Sequence, residues 1–136
     1  MDEQRRESIA CFAELAEEDL HVARLCLADE TPAPRPASFH AQQAAEKYLK
    51  AWLVAVRVDE PPLTHDLVEL AGRLAACGAP PLCEQPLLFL TRFAVGPRYG
   101  LVQPTVEEAR RAVAEAEAIA ATVAAALEAL TAPGEE

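Results

Sequence analysis

Ser38-Phe39-His40-Ala41-Gln42-Gln43-Ala44-Ala45-Glu46-Lys47-Tyr48-Leu49-Lys50-Ala51-Trp52-Leu53 is the stretch that decides the fold. Apolar residues recur at 41, 45, 48, 49, 52, 53 and 56, the three-and-four spacing of an amphipathic helix with one wide buried stripe. Beside that stripe Gln43, Glu46 or Lys47, and Lys50 are also three and four apart, so they share one polar edge. A row of this kind is either a solvated helix edge or a set of donors and charges that an anionic ligand can use.

Working outward, Thr31-Pro32-Ala33-Pro34-Arg35-Pro36 reads as a connector, because each proline removes an amide donor and restricts the residue before it. The central helix is therefore expected from about Ala37 to Val58, with Ser38 as N-cap. Upstream, Ile9, Phe12, Ala16, Leu20, Ala23 and Leu27 step by three and four. They predict a first helix from about Asp2 to Asp29, with Glu14, Glu17, Glu18 and Arg24 on its outer face. Downstream, Asp59-Glu60-Pro61-Pro62 is a proline stop. Thr64 is the expected N-cap of a third helix, with Asp66 in its first turn. Leu67, Leu70, Ala71 and Leu74 are its buried stripe, and Cys77-Gly78 is its left-handed end.

A short fourth helix is expected between Leu82 and Ala94, with Leu87, Leu90, Thr91 and Ala94 inward. Gly96 to Gly100 reads as a loop. Thr105 followed by Glu108 is a capping box. It opens a last helix reaching about Thr131, with a seam of Val106, Ala109, Val113, Ala116, Ala120, Val123, Leu127 and Leu130 suited to shallow-angle packing. Residues 132–136 are expected to be disordered. Period-two alternation is absent, so the expected class is all-α: an antiparallel up-and-down bundle of about five helices in one domain spanning residues 1–136.

Composition narrows the function. With 51% hydrophobic and 25% charged residues in 136, the chain can bury a core and is not a disordered segment. The formal net charge of -10 repels phosphate backbones at long range, so RNA is not an expected partner, although a local basic pocket is compatible with that total. Cys11, Cys26, Cys77 and Cys83 show no paired spacing and read as reduced, mostly buried thiols; Cys77 and Cys83 flank a loop that does not require them to pair. The charged N-terminus is no secretory signal, and no stretch approaches the ~18 apolar residues of a membrane span. The expected setting is soluble and cytoplasmic, without membrane association. His21, His40 and His65 lack metal-ligand spacing, so neither a metal nor another cofactor is expected.

The stretch from Phe39 to Ala51, with its Gln43-Ala44-Ala45-Glu46-Lys47 core, resembles the signature of the HEPN family (higher eukaryotes and prokaryotes nucleotide-binding). Thr64-His65-Asp66-Leu67, Arg98-Tyr99 and the capped final helix extend the resemblance over nearly the whole chain. It implies an antiparallel helical bundle, commonly a homodimer, often paired with a small nucleotidyltransferase in modules resembling toxin–antitoxin systems. Some members are metal-independent RNases that use an Arg, four to six residues, then a His near the start of a late helix. Here Arg98 matches the Arg, but positions 103 to 105 are Gln, Pro and Thr, and no histidine follows His65. Arg35 and His40 satisfy the literal spacing in the wrong place.

RNA cleavage by general acid and base needs a group titrating near neutrality, so no catalytic residue is assigned and the chain is read as leaning away from an enzyme. The expectation is a non-catalytic module, with Gln43, Glu46, Lys50, Arg98 and Tyr99 as candidates for binding a nucleotide or other anion. Arg98 would offer a bidentate fork, or pair with Glu46 and lock its loop. The alternatives are an RNase toxin acting through Arg98 or Arg35 and His40, and a purely structural dimer or scaffold.

Overall fold

The structure, a computed structural model, describes residues 1–56, 58, 60–94 and 103–131. Arg98, Tyr99, the glycine loop and the terminal five residues lie outside them. Five helices occur among the described residues and no strand: α1 (Glu3–Ala28), α2 (Pro34–Ala55), α3 (Leu67–Ala76), α4 (Glu84–Thr91) and α5 (Val106–Thr131).

α2 is the axis of the fold. It packs against each of the other four helices. The expected single stripe is too narrow a description, since 15 of its 22 residues are buried. A helix covered on every side must be apolar or small nearly all round, and alanine makes this possible. Ala41, Ala44, Ala45 and Ala51 are fully buried on α2, Ala16 and Ala23 on α1, and Ala109, Ala112 and Ala116 on α5. Short side chains let the helix axes approach closely. Leu49, Leu53, Leu67, Leu70, Leu74, Leu90 and Phe93 fill the wider spaces.

α1 and α2 are antiparallel: Arg5 Nη1, at the start of α1, donates to the carbonyl of Val54 at the end of α2, 2.6 Å away. α5 instead runs in the direction of α2. Ala33 to Pro36 share a cavity with Gln103 and Pro104 at one end, and Leu127 packs beside Ala51, Val54 and Ala55 at the other. α3 starts beside Gln42 and Glu46 and ends beside Trp52 and Val56, so it too runs with α2, the chain having returned before it. α4 runs back against α3 and α5 against α4, so among the described helices the up-and-down order is interrupted between α2 and α3 alone.

Several helix ends move from where local signals put them. α2 begins at Pro34, with Ala33 as N-cap, and takes in Pro34 and Pro36. The first-turn amides of a helix have no internal partner, so prolines there remove nothing, and their fixed φ suits the turn. Ser38 is consequently inside the helix, its hydroxyl buried without a hydrogen-bond partner among the described residues. Asp66, rather than Thr64, caps α3 by accepting from the Val68 amide at 3.0 Å, while Thr64 Oγ1 accepts from the Asp66 amide. α3 ends as expected at Gly78, whose φ of +94° suits a residue without Cβ. The capping box is present: the Thr105 amide donates to Glu108 and the Glu108 amide to Thr105 Oγ1, both at 3.0 Å. In α4 the inward set includes Phe89, and Phe93 follows just beyond it. In α5, Ala112 and Ile119 are buried, whereas Leu130 is exposed.

The cysteines are unpaired but not interior. Cys11, Cys77 and Cys83 are exposed and Cys26 is half-buried, because alanine and leucine already occupy the inner faces of these elements. No helix among the described residues is long and apolar enough to cross a membrane.

Candidate functional site

The polar edge of α2 divides into two groups. Successive helical residues point about 100° apart, so neighbours in the signature face different helices. Gln42, Gln43, Glu46 and Lys50 form one group, which the segment leading into α3 closes over. Gln42 is fully buried, and its Nε2 donates to the His65 carbonyl at 3.0 Å and more weakly to Glu46 Oε1 at 3.4 Å. Its Oε1 accepts from Gln43 Nε2 at 2.6 Å. Glu46 is held at both oxygens: His65 Nδ1 lies 2.8 Å from Oε1, and Lys50 Nζ donates to Oε2 at 3.1 Å.

This group is a closed circuit. The Glu46 and Lys50 side chains are 6% and 11% exposed, so each charge depends on the other for what water would otherwise supply. The ammonium of Lys50 is therefore already neutralised, and Gln43, half-buried, is the member nearest to solvent among the three α2 candidates. Arg98 and Tyr99 lie outside the described residues. Glu46, weighed as a partner for Arg98, has Lys50 and His65 on its two oxygens.

The second group faces α1. Asp19, 13% exposed at its side chain, accepts from Lys47 Nζ through one oxygen and lies 2.8 Å from His40 Nδ1 through the other. Tyr48 donates its hydroxyl to Glu17 at 3.0 Å. Of the two residues offered for the middle of the polar row, the fold thus keeps Glu46 on the α3 side and turns Lys47 toward α1. His40, the histidine of the literal Arg35 and His40 spacing, is fixed against Asp19 and edge-on to Phe39, with ring centroids 5.3 Å apart. Sequence reasoning missed Gln42, His65 and Asp19 as members of these groups. Gln42 had a visible signal, lying four residues before Glu46; Asp19 and His65 had none, since they arrive from other segments.

Burial pushes the Tyr48 phenol up to about 12, and the hydrogen bond to Glu17 and its negative charge add to the shift. The native state thus holds this proton more tightly than the unfolded chain does, where tyrosine titrates near ~10. That contribution to stability is complete below pH ~10 and is lost as pH rises through about 12. Urea unfolding at a series of alkaline pH values is expected to show a decline between those limits that is shallower in Tyr48→Phe. Equal slopes in the two proteins would contradict the assignment.

Comparison with known proteins places one family on this chain. Residues 11–126 match the family model described as HEPN domain. No curated protein and no solved structure matches.

Proposed function

The chain belongs to the HEPN domain family, a nucleotide-binding or RNase-type family, and on that premise we propose that it is a non-catalytic member. It is a helical binding module that pairs with a small nucleotidyltransferase in a cytoplasmic system resembling toxin–antitoxin modules. One observation carries the reading: the start of α5, where RNase members place the histidine of their Arg-x4-6-His pair, offers no imidazole. Gln103, Pro104 and Thr105 stand there, Pro104 is buried, and Thr105 is engaged with Glu108 in the cap. His40 and His65, both far earlier in the chain, are tied to Asp19 and Glu46.

In this reading the Gln42, Glu46, Lys50 and His65 circuit fixes the approach to α3. Nucleotide contact on α2 falls to Gln43 rather than to Lys50, with Arg98 and Tyr99 as the further candidates. An exposed apolar stripe on one face of α1, made of Leu15, Val22 and Leu25 beside Cys11, supports pairing with a second copy.

Co-expression with the product of the adjacent reading frame tests the proposal. The expected result is a co-purifying complex with a nucleotidyltransferase, together with RNA left intact by the purified protein at high concentration. Metal-independent RNA cleavage abolished by Arg98→Ala would establish the RNase alternative instead. The scaffold alternative predicts neither a complex nor heat on titration with ATP.

A further inference from the structure

A second cationic site lies away from the signature helix, where α4 meets α5. Arg92, Arg110 and Arg111 line one open cavity of about 400 Å³ whose floor is Phe89. The guanidinium of Arg111 is stacked 3.9 Å from the Phe89 ring centroid. That of Arg92 sits 5.8 Å from Phe89 and 5.6 Å from Phe93. The two rings brace each other edge-on, with centroids 5.2 Å apart at 83°.

Three features point to a ligand. First, the chain carries 22 acidic against 12 basic side chains, so a basic group has abundant partners to choose from. Yet neither Arg110 nor Arg111 forms an ion pair among the described residues, and Arg92 reaches Glu108 only at 3.8 Å. Second, the cavity is lined by three arginines against two carboxylates, Glu107 and Glu108, and one oxygen of Glu108 is held by the Thr105 amide, so positive charge is in excess. Third, stacking on an aromatic face holds a guanidinium flat while leaving its N–H edge free, the presentation that grips phosphate through two parallel hydrogen bonds.

We propose that Arg92, Arg110 and Arg111 form a binding site for the phosphate group of a small phosphorylated ligand, a mononucleotide or free pyrophosphate. The cavity is of the size that takes such molecules, roughly 300–1,000 Å³. A small anion suits it better than a nucleic-acid strand, because the net charge of -10 repels an extended polyanion along its whole length while a short one meets mainly the local field. The site goes beyond the functional reading above and is independent of the polar edge of α2.

Calorimetry on the full chain tests it, with adenosine, AMP, ATP and pyrophosphate as separate titrants at low salt. AMP, ATP and pyrophosphate are expected to bind and adenosine to give no heat if phosphate alone is recognised. The Kd for the bound titrants is expected to rise at least about tenfold in Arg111→Ala and further in Arg110→Ala/Arg111→Ala, since each removes charge-assisted hydrogen bonds. Arg24→Ala, which breaks an exposed pair with Glu117 elsewhere, leaves it unchanged. All the arginines substituted are on the surface, so folding is retained and circular dichroism confirms it. Binding of ATP that survives the double variant but is lost in Gln43→Ala overturns this site and keeps nucleotide binding at the α2 edge. No saturable heat with any phosphate, or binding of an RNA oligonucleotide alone, overturns the proposal as well. Pairing with a nucleotidyltransferase is read separately by co-purification.

Discussion

Glu46→Ala is expected to lower the unfolding free energy by about 3–5 kcal/mol, read as a fall in the urea midpoint with the slope unchanged. The side chain is small and sits on a helix, where alanine is the best former, so local propensity argues for no loss at all. The loss arises from what stays behind. Lys50, whose side chain is 11% exposed, would lose its carboxylate, His65 Nδ1 would lose its acceptor, and Gln42 Nε2 would keep only the His65 carbonyl. A buried charge stripped of its partner carries its desolvation cost uncompensated.

The control isolates that cause. Glu46→Leu/Lys50→Met replaces both charges by apolar groups, and such replacements are often neutral or stabilising. The double variant should therefore be markedly more stable than Glu46→Ala. A loss below about 1 kcal/mol in Glu46→Ala would mean that Lys50 simply extends its ammonium to water along its aliphatic stem, and that the pair holds nothing.

Phe93→Ala is the second large effect, at about 3–5 kcal/mol. Among the described residues Phe93 is the bulkiest of the side chains removed completely from solvent. It lies just past the end of α4, and its amide closes that end by donating to the Leu90 carbonyl at 3.0 Å. Alanine would leave a ring-sized void in the main core cluster, which close packing cannot collapse without moving a helix. Phe93→Leu, which keeps most of the volume, should cost clearly less. The substitution also reaches the arginine cavity, since Phe93 is the brace for Phe89 and Phe89 carries Arg111. Thermal and urea unfolding read the first effect, and a weaker phosphate titration of the folded Phe93→Leu protein reads the second. A Phe93→Ala loss below about 1.5 kcal/mol would show that the region refills the void.

Where the sequence was legible, the signals were local. The capping box of Thr105 and Glu108 joins groups three residues apart, and Gly78 answers a backbone angle at one position. The inward residues of α1 follow its period, with Ile9, Ala16, Leu20 and Ala23 all buried. Local signals also misled where two rules competed. Proline reads as a helix breaker, but at Pro34 and Pro36 its missing amide falls where no amide would be bonded. Thr64 and Asp66 are both good caps, and only the turn they adopt selects Asp66.

The candidate site was half legible. The row of Gln43, Glu46 and Lys50 was visible from spacing, but spacing left Glu46 and Lys47 interchangeable in it, and only the fold separates them. Its closure was not, because Asp19 lies 28 residues before Lys47 in the chain and His65 19 residues after Glu46. The arginine cavity left no sequence signal, since Phe89, Arg92 and Arg111 come from two helices.

By itself the sequence determined the helical class, the five helices found among the described residues, the ends of α1 and α5 and the family to which the chain belongs. Those properties rest on hydrogen bonds and apolar spacing within a turn or two, which neighbouring residues specify. Only the tertiary structure decided that α2 is enclosed on all sides, that Lys50 is neutralised by Glu46, and that three arginines converge on Phe89. Each of these depends on which helix covers which face, and that is settled by the fit of alanine-lined surfaces across the whole core.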